Sequence, residues 1–384
     1  MLAADLLADG ARRAGRDVDP DAPWLEPFAR LVGSANDEGG LSEAGAAGFR
    51  AKLVELVDER LRADALLTAH PEVGERALPV RIVVAGLARS GTTFLHRLLA
   101  CDPDVEFLPT WQAFRPVPPA SGSDTRRADA VARIDAIRAA DPDALKVHPL
   151  DADAPEEEVF LLQHCFASML FALSCPLPSY NAWLNTADHT DAYRFAFDLL
   201  RLNEWSAGIA EGRPRVMKSP QFVLDLAVVD RLLPDAVIVQ NHRDPVDLVG
   251  SYCSTYAGSR RRSCVTVDPV ALGRERLGQL HTMAARSLEV RRAADARGTG
   301  ARFVDVHYAR MVADPLAVAE ECYGAAGLEL CATTRAAMEA WLAANPQHGG
   351  GKHQYDLAEY GLDRATVEAA LAEYLDRFRP EVEA

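Results

Sequence analysis

The sequence predicts an α/β fold, a central parallel sheet flanked by helices, and three observations carry that reading. Short apolar runs rich in β-branched residues recur at 80–87, 216–219, 236–242 and 301–307, as expected of strands in a mostly buried sheet. Segments with helical apolar spacing separate them, and such alternation builds a parallel sheet with helices on both faces. The first run, VRIVVAGL, leads into a turn containing Ser90 and Gly91 and then into helical spacing at Phe94, Leu95, Leu98 and Leu99, a strand, loop, helix unit.

Taken in order, residues 1–79 form a helical lead rich in Ala, Leu, Glu and Arg, with Phe49, Leu53, Val54, Val57 and Leu61 near helical spacing within 41–70. The strand at 80–87 and the helix at 92–100 follow, the helix closed by Asp102 and Pro103. Prolines and serines make 115–123 a loop. A mostly helical middle spans 128–212, and its apolar stretch 159–177, interrupted by Gln163, His164 and Ser168, predicts a buried helix and not a membrane span. The rings of Phe160, Phe166, Phe171, Tyr180, Trp183 and Tyr193 form either a hydrophobic pocket or plain core. Next come a short strand ending in KSP, a helix at 221–233, the strand at 236–242, and a helix with Pro245 in its first turn. A long helix at 270–297, the strand at 301–307 and a helical end broken by Gly349 to Gly351 complete the chain. No repeat or low-complexity linker divides it, so 1–384 reads as a single domain.

Composition narrows the partners. The 384 residues are 49% hydrophobic and 25% charged, the profile of a globular protein. Forty-one basic against fifty-six acidic residues give a net charge of −15, which excludes a broad electrostatic grip on nucleic acid or anionic lipid. An anionic ligand therefore needs a local positive pocket. Arginine supplies nearly all the positive charge, because lysine occurs only at Lys52, Lys146, Lys218 and Lys352. The seven cysteines form no CxxC pair and no zinc-ligand spacing; buried reduced thiols and a start without a secretory signal predict a cytoplasmic protein. No integral membrane segment is expected, and a homo-oligomer is compatible with the sequence.

GLARSGTT, Gly86 to Thr93, carries the first chemical signal. After a buried strand and before a helix, its glycines let backbone N–H groups and the helix N-terminus converge on an anion. The spacing Gly86 to Gly91 copies GxxxxG of the nucleotide-binding P-loop, but Thr92 stands where that motif has lysine. The second signal is NHRDPVDLVGSY, where Arg243 ends a strand and Ser251 follows eight positions later, a guanidinium and a hydroxyl suited to a terminal phosphate.

With these motifs in the order strand, RSGTT, strand, KSP, strand, RDP, Ser, the chain resembles the sulfotransferases that use 3′-phosphoadenosine 5′-phosphosulfate (PAPS) and release adenosine 3′,5′-bisphosphate (PAP). The TW after the first helix, the PEE stretch, the ADP after a Tyr-containing strand and the GKHQY tail resemble a bacterial branch of that family, from about residue 40 to the end. The resemblance implies a P-loop-like sulfotransferase fold, with 80–110 as the phosphosulfate-loop unit, 128–212 as an acceptor-side insertion and 213–384 holding the 3′-phosphate segment. It assigns Arg89, Ser90, Gly91, Thr92 and Thr93 to the 5′-phosphosulfate, Arg243 and Ser251 to the 3′-phosphate, and Phe94 to the adenine. Tyr308 is either near the base or a core tyrosine, and Lys352 and His353 either fold over the nucleotide or belong to a mobile tail.

Sulfuryl transfer needs in-line attack and a charge-stabilised leaving group, and a sulfuryl group bears less charge than a phosphoryl group, so no metal is expected. Lys218 of KSP matches the family's lysine at the sulfuryl oxygens. The base is open: Pro220 occupies the position where cytosolic relatives have histidine, and Gln112 stands where others have glutamate. The candidates are His148 and the carboxylates of the run after Pro155, Glu156 and Glu157 foremost. The acceptor is a hydroxyl on a small molecule, natural product, lipid or glycan. A P-loop kinase-like phosphotransferase and a non-catalytic nucleotide-binding protein are the alternatives.

Overall fold

In the computed structural model, residues 1–119, 122–140, 150–345 and 356–378 are described. Their sheet has four parallel strands, β1 (Val80–Gly86), β2 (Arg215–Lys218), β3 (Val237–His242) and β4 (Phe303–His307), in the order β2-β1-β3-β4. β1 lies inside the sheet, paired on one side with β2 (Val84 opposite Lys218) and on the other with β3 (Gly86 opposite Asn241). The strand alternation divides two apolar layers. Val83, Ala85, Met217 and Ile238 face a layer with the helices Glu43–Ala69, Pro245–Ser263 and Pro269–Arg297. Ile82, Val84, Val216 and Val239 face Leu95, Leu98 and Leu99 of the helix Thr92–Leu99 together with Val318, Cys322 and Met338. This is the expected parallel sheet between helical layers.

Two expected helices differ. Residues 159–177 do not form one buried helix but two short 3₁₀ segments, Glu158–Cys165 and Met169–Leu173. The Ser168 hydroxyl donates to the Val159 carbonyl at 2.9 Å and accepts from the Leu170 amide at 3.3 Å, competing with a continuous helical ladder. Phe166 between them takes a left-handed φ of 54°, and the Tyr180 hydroxyl holds its carbonyl at 2.8 Å. The helix expected over 221–233 is split at Asp225 into Gln221–Leu224 and Leu226–Leu232. The buried Asp225 carboxylate accepts from Tyr193 and Gln221 at 3.1 Å each and pairs with His189 at 2.9 Å. The rings of Phe166, Phe171, Tyr180 and Tyr193 are fully buried, so these belong to the core alternative and not to a pocket.

The end of β3 is anchored from behind. His242 is buried, with Nδ1 2.8 Å from the Tyr374 hydroxyl and Nε2 2.9 Å from Asp305. Arg291 grips Asp305 through both guanidinium ends at 2.6 and 2.7 Å. Burial of Asp305 opposes its ionisation, but the hydrogen bonds from Arg291 and His242 outweigh it and hold the carboxyl below the usual range. The next residue is Arg243, so this network fixes the backbone from which that side chain departs.

Candidate functional site

The loop after β1 folds back on itself, and two glycines permit it. A Cβ on Gly86 would lie 2.5 Å from Ser90 Oγ, and one on Gly91, whose φ is 90°, would lie 2.5 Å from Met311 Cε and 3.0 Å from the Tyr308 ring. Arg89 itself adopts a left-handed φ of 73°, a conformation that costs a non-glycine residue about 1 kcal/mol or more and tends to be kept at functional sites. The turn sends Arg89 toward the helix after β3, where its Nε donates to Ser251 Oγ at 3.0 Å. Arg243 meets the same loop: Nη1 reaches the Arg89 carbonyl at 3.5 Å, Nη2 lies 3.4 Å from Asp247, and the guanidinium sits 4.2 Å over the Tyr308 ring. Its Nε and the Ser90 hydroxyl are buried without a hydrogen-bond partner, polar groups of the kind that a bound anion satisfies.

A cavity of about 350 Å³ opens at these strand ends. It is lined by Arg89, Gly91, Thr92, Thr93, Phe94, Arg243 and Tyr308 together with Glu157, Met169, Leu170, Leu173, Pro220, Tyr252, Thr255 and Tyr256. Lys218 is buried behind this lining, 1% exposed, with Nζ donating to Thr93 Oγ1 at 3.1 Å and in close contact with the Glu157 carboxylate. Ligands of open α/β sheets bind at such carboxyl ends, where the chain switches direction across the sheet.

The three glutamates after Pro155 have separate fates because Glu156 and Glu157 precede the 3₁₀ segment that Glu158 opens. Pro155 bridges Pro109, and the Glu156 amide bonds the Leu108 carbonyl at 2.8 Å, holding this stretch extended. Glu156 is therefore turned inward, 1% exposed, with Oε1 accepting from the Glu157 amide at 3.0 Å, and it does not line the cavity. Glu157 faces the cavity. Glu158 is buried, its Oε2 accepting from the Lys218 amide at 2.8 Å while Oε1 has no partner.

Among the described residues no histidine lines this cavity. His96 lies wholly buried, and burial together with the Lys218 charge keeps it neutral. Gln112 is buried outside the cavity, whereas Pro220 lines it. His148, Lys352 and His353 lie outside the described residues. Thus Arg89, Arg243 and Ser251 come together, as do Thr93, Glu157 and Lys218. The wall formed by Tyr252, Thr255 and Tyr256 went unnoticed in the sequence, although their i, i+3, i+4 spacing just after Ser251 marks a single helical face. Phe94 borders the cavity, and its ring centroid is 5.4 Å from that of Trp341. No cluster of His, Cys, Asp or Glu able to hold a metal occurs among the described residues, and no helix there is long and apolar enough to cross a membrane.

Burial pushes the Glu158 carboxyl up to about 8, its backbone hydrogen bonds opposing only in part. The folded state therefore binds a proton that the unfolded chain releases near pH 4.3, and stability falls as pH rises from about 4.3 to about 8. Glu158→Gln keeps an acceptor for the Lys218 amide and removes this titration. Urea unfolding should find the variant more stable than wild type at pH 8.5, by on the order of a few kcal/mol, with the advantage vanishing near pH 4.5. A difference independent of pH would show that Glu158 is ionised in the folded protein.

A family model described as "Sulfotransferase family" matches residues 79–332, more than half of the chain. The crystal structure of sulfotransferase STF9 from Mycobacterium avium is similar over 99% of this chain and 97% of that chain, with a TM-score of 0.87 at 28% identity. That of sulfotransferase STF1 from Mycobacterium tuberculosis H37Rv is similar over 97% of this chain and 99% of that chain, with a TM-score of 0.83 at 27% identity. No curated protein matches the chain.

Proposed function

Because the chain belongs to the sulfotransferase family, we propose that it transfers a sulfuryl group from PAPS to a hydroxyl of a small-molecule acceptor, leaving PAP. One observation carries this reading: Glu157 lines the same cavity as the loop and Arg243, and the buried Lys218 pairs with it from behind that lining. The N–H groups opening the helix Thr92–Leu99 and the unsatisfied Ser90 hydroxyl suit the 5′-phosphosulfate. Arg243 and Ser251, with Arg89 between them, suit the 3′-phosphate, and Phe94 offers a ring face for the adenine. The insertion at 128–212 contributes Glu157 and the Met169–Leu173 segment, consistent with an acceptor-side role.

In the reaction so proposed, Lys218 stabilises negative charge on the oxygens around the sulfur and on the phosphate oxygen that leaves. Glu157, beside it, receives the acceptor proton. Thr93 orients the ammonium through its hydroxyl. A kinase reading is disfavoured by Thr92 in the place of the P-loop lysine. Seven unpaired cysteines, five of them buried, fit a reducing, cytoplasmic setting.

Arg243→Ala should weaken PAP binding by about 2 to 4 kcal/mol, the worth of a charge-assisted pair with a dianionic phosphate. Isothermal titration without divalent metal measures this, and unchanged affinity would remove Arg243 from the donor site. Lys218→Ala should lower kcat by about 100- to 1,000-fold, with a much smaller change in PAP affinity, because its charge acts on the group in flight. Radiolabelled sulfate transfer measures this; a loss confined to affinity would make Lys218 a binding residue only. In the same assay Glu157→Gln should abolish the acidic limb of the kcat/KM profile, and a limb that persists would place the base elsewhere.

A further inference from the structure

Six of the residues that line the cavity with Glu157 form two short walls. Met169, Leu170 and Leu173 project from one 3₁₀ segment, and Tyr252, Thr255 and Tyr256 from the helix Pro245–Ser263. None of the six is charged, and they offer only three hydroxyls. A polyhydroxylated ligand entering there would give up hydrogen bonds to water that these walls do not replace, at a cost of about 1–3 kcal/mol for each unmatched group.

The first wall is held from behind. The Gln221 side chain accepts from the Met169 amide at 2.9 Å and donates to the Ala167 carbonyl at 2.9 Å, and it is itself tied to the buried Asp225. The second wall rests on a buried charge that the proposed reaction does not use. Arg276, 1% exposed, lies 4.1 Å from the Tyr256 ring and 5.3 Å from the Tyr252 ring, and its Nη1 is 3.4 Å from the Tyr252 hydroxyl. The two tyrosine hydroxyls are 3.4 Å apart. Arg260 and Arg276 share one carboxylate, Glu275, so two positive charges and one negative leave a surplus of one positive charge behind the tyrosines. That surplus favours an electron-rich ring and a developing oxyanion on the cavity side.

We propose that this half of the cavity is an acceptor subsite for a planar phenol, gripped between the Met169–Leu173 segment and the Tyr252 and Tyr256 face. The proposal rests on the sulfuryl-transfer reading above and narrows its acceptor. The phenol oxygen forms a bond to sulfur as the bond from sulfur to the 5′-phosphate oxygen breaks. The phenolic proton passes to the Glu157 carboxylate, and the products are an aryl sulfate and PAP. A phenol suits this site because its hydroxyl, with a reference pKa of about 10, needs little help in losing a proton, and the carboxylate available is already shared with an ammonium.

The test titrates 2-naphthol, its saturated analogue 2-decalol and methyl glucoside into protein saturated with PAP, and then follows turnover of each with PAPS. 2-Naphthol should bind about tenfold or more tightly than 2-decalol, a ratio that ring stacking beside a cation can supply, and should be the best substrate; methyl glucoside should neither bind nor react. Leu173→Glu, at a half-buried position of the wall, should weaken 2-naphthol binding at least tenfold while PAP affinity stays within twofold. Preference for 2-decalol or the glucoside, or indifference of 2-naphthol to Leu173→Glu, would overturn the phenol subsite while leaving sulfuryl transfer standing. Failure of the protein to bind PAP at all would instead overturn the transfer reading, and the subsite with it.

Discussion

The site depends on the register of one strand. β1 pairs in parallel with β2 and β3 at once, so that Gly86 ends β1 opposite Asn241, one residue before the end of β3, while Lys218 ends β2 opposite Val84, two residues before Gly86. Three chain segments far apart in sequence are thereby delivered to the carboxyl end of the sheet: the glycine loop, the lysine and the arginine of RDP. A one-residue slip of β2 would turn Lys218 to the opposite face of the sheet. Buried packing on both faces specifies the register, because Val83 and Met217 must enter one apolar layer while Val84 and Val216 enter the other.

Electrostatics then sorts the charges that this convergence creates. An acidic chain concentrates Arg89, Arg243 and Lys218 around one cavity, and each cation has a defined neighbour: Ser251 for Arg89, Asp247 and the Tyr308 ring for Arg243, Glu157 for Lys218. The groups packed behind them are kept from competing. Burial holds Glu158 protonated and His96 unprotonated at neutral pH, so the charge on the cavity side of Lys218 is answered by one carboxylate, that of Glu157. The same economy appears behind the tyrosine wall, where two arginines share Glu275.

Local motifs made the loop, lysine and arginine of the site legible in the sequence. RSGTT, KSP and RDP each sit at a strand end, where composition and chemistry coincide within a few residues, and the strand, loop, helix unit follows from apolar patterning alone. The part of the cavity lined by Glu157 and the Met169–Leu173 segment was less legible because long-range contacts decide it. Apolar burial over 159–177 cannot distinguish one helix from two 3₁₀ segments, and the choice rests on Ser168 and Tyr180 hydrogen bonds. The orientation of Glu156 and Glu157 depends on the bridge to Pro109, which no spacing within PEEE encodes. Ring size does not distinguish pocket from core either: Phe166, Phe171, Tyr180 and Tyr193 are buried in the core, and the cavity is walled by Met169, Leu170 and Leu173.

The central claim is that loop, arginine and lysine serve one nucleotide and one transferred group. The most direct measurement is a crystal structure of the protein with PAP. The account predicts the 5′-phosphate on the amides at the start of the helix Thr92–Leu99 and the 3′-phosphate in contact with Arg243 and Ser251, with the Lys218 ammonium facing the 5′ end. A nucleotide bound elsewhere, or bound with its 3′-phosphate away from Arg243 and Ser251, would contradict it.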